Sequence, residues 1–139
     1  MGRWGWRVAI ALGAALSAGC DDTLFGVAEE ATDPGIEGYA GVLEIASNNC
    51  QTCHSAASAT SLGNGLDLET DLHAATVGVQ SSYGMPLVTP EDPDQSLFYL
   101  KVTGGQPDGT GNSMPPGTML STGFTDVVRG WIEDGAPAE

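Results

Sequence analysis

Five consecutive residues, Cys50-Gln51-Thr52-Cys53-His54, restrict what this chain of 139 residues can become more than any other stretch of it. Two thiols three positions apart can add across the two vinyl groups of a haem, and a histidine directly after the second can reach the iron. The same dithiol would also suit a redox pair or half of a zinc site. A thioredoxin-like pair belongs beside a βαβ pattern, which this sequence lacks, and zinc would need two further ligands where only His73 remains. The motif therefore reads as a covalent haem c site, with Cys50 and Cys53 as thioethers and His54 as the proximal ligand through Nε2. The Nδ1–H of His54 would then go to a carbonyl that the sequence does not name.

The motif lies downstream of an export signal. Arg3 and Arg7 form a basic start, residues 8–16 are apolar, and Ser17-Ala18-Gly19 are small residues before Cys20. The apolar run is far shorter than the ~20 residues a membrane-spanning helix needs, so residues 1–19 read as a signal peptide. Leu16-Ser17-Ala18-Gly19-Cys20 resembles the lipobox of bacterial lipoproteins, with the leucine one position further from the cysteine than usual. Cys20 is thus the expected lipidation site, against ordinary cleavage near Ala18. With Cys20 on lipid and Cys50 and Cys53 on haem, no thiol is left over. The expected location is the periplasmic side of a bacterial membrane, with the lipid as the only membrane contact.

From Cys20 onward eighteen acidic residues face two cations, Lys101 and Arg129, for a formal charge of −16. Nucleic acid and anionic headgroups are disfavoured as partners. Redox partners with basic docking patches would be attracted, over about 8 Å at physiological ionic strength. The same acidity would also serve simply to keep an exported surface soluble.

Residues 20–33 read as an acidic tether, and residues 34–137 as one domain. The spacing predicts a first helix from Asp33-Pro34 into Cys50, with Tyr39, Val42, Leu43 and Ala46 on one apolar face. A short second helix is predicted over 69–77, with Leu72, Ala75 and Thr76 inward. Asp92-Pro93-Asp94-Gln95 reads as a capping box before Leu97, Phe98, Leu100 and Lys101, which Gly104-Gly105 stop. A last helix begins near Ser121 or Thr122 and carries Phe124, Val127, Val128, Trp131 and Ile132 on its core face. No alternation argues for a strand. The expected fold is all-α, three to four short helices and long glycine-rich loops wrapped around one haem. Asp108 to Asn112 has too few oxygens at the required spacing for a calcium loop and reads as a turn.

The sixth iron ligand has four candidates: Met85, Met114, Met119 and His73. Met114 is favoured because Pro115 and Pro116 would stiffen the loop that presents its sulfur. Met85 also precedes a proline, Met119 reads as core, and His73 as a helix residue at the surface or rim. An open sixth site is the remaining alternative.

At this point the chain resembles a family. Cys50 to His54, Gly65-Leu66-Asp67-Leu68, Val88-Thr89-Pro90-Glu91-Asp92-Pro93 with Ser96-Leu97, Met114-Pro115-Pro116 and Trp131 to Ala136 follow one another as in class I mono-haem c-type cytochromes. The likeness is strongest to the small cytochrome c domains of planctomycete and myxobacterial secreted proteins and lipoproteins. It implies His54 and Met114 as axial ligands, one-electron transfer rather than enzymatic chemistry, and first and last helices crossing beside the haem. Glu91 departs from the pattern, which has a glycine after the proline. The alternatives are a haem protein with a labile sixth site that binds small ligands or reduces peroxide, and a structural lipoprotein without haem.

Overall fold

Left-handed glycines bound two helices of this chain, one at its head and one at its end. The computed structural model describes residues 36–139; the signal peptide, Cys20 and the tether lie outside the described residues. The elements are α1 (Gly38–Asn49), α2 (Gln51–His54), α3 (Leu72–Thr76), a 3₁₀ turn (Pro93–Gln95), α4 (Leu97–Thr103) and α5 (Thr122–Glu133). Among the described residues there are two isolated bridges, Val77 with Val88 and Gln80 with Pro86, and no strand. The all-α expectation is met.

The first helix starts later than the spacing predicts. Gly38 has φ +57°, which a continuous right-handed helix cannot pass through, and Glu37 is extended. Its buried stripe is Gly41, Val42, Ile45 and Ala46, whereas Leu43 is 40% exposed. The expected face is rotated because α1 meets α5 at its smallest residue. A Cβ on Gly41 would stand 2.8 Å from Val127 Cγ1 and 3.0 Å from the Ile36 backbone. That close crossing buries Val42, Ile45, Val127, Val128, Trp131 and Ile132 in one core.

The second predicted helix shrinks to α3, because Asp67 claims the residues before it. Its carboxylate accepts the N–H groups of Glu69 and Thr70 at 2.9 and 3.2 Å and the Thr70 hydroxyl at 2.6 Å, a turn that competes with helix. These bonds, the Thr70 hydroxyl foremost, hold the Asp67 carboxyl below its ordinary pKa. The helix then starts after Asp71, which caps Ala74 N–H at 2.9 Å. Leu72 and Thr76 are buried and Ala75 is half-buried.

Half of the predicted capping box forms. Asp92 accepts the Gln95 N–H, but the Asp92 N–H goes to the Thr89 carbonyl rather than to the Gln95 side chain. Fully buried Ser96 completes the turn, accepting from Thr89 N–H and donating to Asp92 O, both at 2.8 Å. Gly104, at φ +75°, stops α4.

The last helix begins as predicted, with Ser121 accepting the Phe124 N–H. Trp131 is 1% exposed, stacks on Tyr39, and donates its indole N–H to Pro137 O at 2.8 Å. Met119, predicted as core, is 56% exposed. Its neighbour Leu120 takes the place against the core instead.

Candidate haem-binding cavity

The motif folds as a corner. Cys50 ends α1 and accepts the N–H groups of Cys53 and His54 at 3.1 and 2.9 Å, so both thiols and the imidazole sit on one tight turn. Side chains three apart on such a turn are neighbours, about 5–6 Å between Cβ atoms. Both thiols are free. Burial pushes the Cys50 thiol up to about 11, so at neutral pH it is a protonated, apolar thiol. A redox dithiol needs the opposite shift.

The following loop curls back over the turn. Asn64 and Gly65 have φ +52° and +85°. This left-handed pair brings Leu66 and Leu68 alongside His54: Leu68 N–H donates to His54 O at 2.8 Å, and His54 Nδ1–H donates to Leu66 O at 3.0 Å. A carbonyl only accepts, so Nδ1 carries the proton and Nε2 is left with its lone pair free. Gly63 is buried beneath the ring; a Cβ there would meet Cys53 O at 2.6 Å and His54 Nδ1 at 2.8 Å. Only glycine fits.

Beside this corner lies a mostly apolar cavity of about 420 Å³, lined among others by Cys50, His54, Leu66, Leu68, Val79, Leu87, Leu97, Phe98, Val102 and Met114. Met114 is therefore brought to the same cavity as His54. Its N–H donates to Lys101 O at 2.9 Å, and its bond to Pro115 is cis. Met85 and His73 do not line it. His73 is engaged elsewhere: its Nε2–H donates to Ala136 O at 3.0 Å and its ring stands edge-on to Tyr39, 6.0 Å between centroids. Cys53 is half-buried and is also absent from the lining. Among the described residues no three His, Cys, Asp or Glu side chains gather as a metal site. The carbonyls of Thr110 and Asn112, in the loop that superficially resembles a calcium site, are taken by the Lys101 ammonium.

Residues 50–117 match the family model described as Planctomycete cytochrome C. Over this segment the chain is similar to cytochrome c domains of the planctomycete type. No curated protein and no solved structure matches the chain. A cytochrome c domain implies a haem c cofactor and an electron-transfer role. The residues fit that cofactor. The cavity is walled mostly by leucine, valine and phenylalanine, Gly63 leaves room for the Nδ1 edge of His54 against Leu66, and one imidazole and one thioether, the donor types that hold haem iron, share it.

Three contributors to the domain escaped the sequence reading. The Leu66 carbonyl has no side-chain signature. Gly63 is signalled only by the glycines flanking Asn64. Lys101, the chain's one lysine, read as a mere helix residue and turns out to line the cavity.

Proposed function

We propose that the chain is a mono-haem c-type electron carrier, with Cys50 and Cys53 as thioether attachments, His54 Nε2 as proximal ligand and Met114 sulfur as distal ligand. The observation that carries this reading is the His54 Nδ1–Leu66 O bond, which leaves Nε2 as the ligating atom beside a cavity shared with Met114. When bound, the haem iron supplies a reversible one-electron change between ferric and ferrous states. The chain's own part is to orient His54 through Leu66, to keep Met114 in reach, and to exclude water with the leucine and phenylalanine walls. A neutral thioether stabilises the ferrous state and raises the potential. Were His54 and Met114 both to hold the iron, no position would be left for a substrate, and the protein would act as carrier and not as enzyme.

The rest of the proposal follows from the sequence. Cys20 is lipidated after removal of residues 1–19, residues 20–33 tether the domain, and the carrier works on the periplasmic side of a bacterial membrane. Its partners are redox proteins presenting basic patches to the acidic surface.

Protein exported together with the haem maturation machinery tests the reading. Haem that resists acid–acetone extraction and gives sharp low-spin bands on reduction is the expected result. Retained haem with a high-spin spectrum would transfer the assignment to a small-ligand or peroxide-reacting protein. Colourless protein would leave a structural lipoprotein. Met114→Ala should give high-spin iron that takes up added ligands, while Met85→Ala and His73→Ala should leave the spectrum unchanged.

A further inference from the structure

The loop that carries Met114 has little of its own to hold it. Between Gly105 and Ser113 it contains two left-handed glycines, Gly109 at φ +84° and Gly111 at φ +82°. Its internal bonds are a turn in which Thr110 N–H and hydroxyl both reach Pro107 O, and a long contact from the Gln106 side chain to Gly111 O at 3.5 Å. At its head Gly105 N–H donates to Leu100 O at 2.9 Å; further along, Lys101 of α4 binds it to the helical frame twice. The main-chain carbonyl of Lys101 accepts the Met114 N–H at 2.9 Å. Its ammonium donates to Thr110 O and to Asn112 O, the latter at 2.9 Å. The same Nζ stands 5.3 Å from the centre of the Tyr83 ring. Gly111 fits between the two because it has no side chain: a Cβ there would meet Tyr83 Oη at 3.0 Å and Lys101 Nζ at 3.5 Å.

We propose that Lys101 is the positioning residue of the sixth iron ligand, its ammonium gathering the Thr110 and Asn112 carbonyls so that the Met114 sulfur is presented to the cavity. The inference rests on the haem reading above. Hydrogen bonds from a charged donor are about twice as strong as neutral ones, so two of them offset part of the conformational freedom that a glycine-rich loop loses on ordering. Partial burial lowers the Lys101 pKa, which is consistent with a cation held by carbonyls and an aromatic face in place of water. Among the described residues the other cation, Arg129, is committed to Glu133 and Tyr99 on α5 and α4 and does not line the cavity.

The test is Lys101→Met, which keeps an apolar stem and removes the charge and donors, beside Lys101→Arg, which keeps both. Two readouts are taken on the full chain. In hydrogen exchange, the amides from Thr110 to Met114 in Lys101→Met should exchange about tenfold faster, the equivalent of losing one charge-assisted hydrogen bond. In the oxidised haem protein, the sulfur-to-iron charge-transfer band should fade although the haem stays covalently attached, and Lys101→Arg should retain it. Should Lys101→Met fail to fold, Lys101→Gln is read in the same way. An undiminished band in the charge-free variant would overturn the proposal, even with faster exchange, since Lys101 would then be structural only. Haem in the parent protein without that band would overturn it too, because Met114 would not be the ligand. A parent without covalent haem defeats the haem reading itself; exchange in the full chain then still decides whether Lys101 holds the loop.

Discussion

Glu91 is where residue type and backbone conformation disagree most openly. It sits at φ +66°, exposed, with its N–H given to Ile132 O at 2.7 Å, so the turn is fixed by the end of α5. A side chain in the left-handed region costs about 1–2 kcal/mol, and glycine gives back about 0.5–1 of that in chain entropy. Glu91→Gly should therefore stabilise the domain by roughly 0.5–1 kcal/mol, raising the thermal midpoint by a few degrees; a lowered midpoint would mean the carboxylate itself supports the turn. Cys50 offers a pH test. Its folded pKa of about 11 lies above the ordinary thiol value of 9.0. The unfolded chain loses this proton first, so the contribution is complete below about pH 9 and is lost as pH rises toward 11. In the haem-free full chain, stability should decline across that window and Cys50 alkylation should turn on late; with Cys50 converted to a thioether, the decline should vanish. At this scale Cys50, Cys53, His54 and Met114 could be named as candidates because haem chemistry demands those residue types. The partner of His54 was not, since any residue can supply the carbonyl that Leu66 does.

Elements were legible wherever a local signal acted alone. Ser121 caps α5, Gly104 stops α4, and the five apolar positions from Phe124 to Ile132 point where their spacing says. Reading failed where a distant contact decided. The α1 stripe turns toward Ile45 and leaves Leu43 in solvent because Gly41 lets α5 approach, and the head of α3 yields to the Asp67 turn. Gly41→Val should accordingly destabilise the domain by about 1–3 kcal/mol through overpacking. Made with Val127→Ala, which removes the methyl in the way, the same change should cost less than the sum of the two single changes, read by urea unfolding as a coupling energy. Strict additivity would show that the helices do not meet at that pair.

For the whole molecule, charge speaks about encounters rather than fold. A formal charge of −16 beyond Cys20 should accelerate electron exchange with a small cationic redox probe and slow it with an anionic one. Raising ionic strength from 0.01 to 0.15 M shortens the screening length from about 30 to 8 Å. The two rates should converge, the cationic one falling on the order of tenfold; rates indifferent to salt would confine the acidity to solubility. The order of helices and the glycine-rich loops were visible from sequence, whereas the cavity they enclose depends on residues far apart in the chain, from Cys50 to Met114. One further property belongs to this scale. Tyr39, near the head of α1, and Ala136, just behind α5, both meet His73, and none of the three lines the cavity. The two ends of the described residues are thus held together at one place. A unit built so is a plug-in cartridge: joined head to tail it suits circular permutation, and spliced into a surface turn of a host protein it hangs from one point.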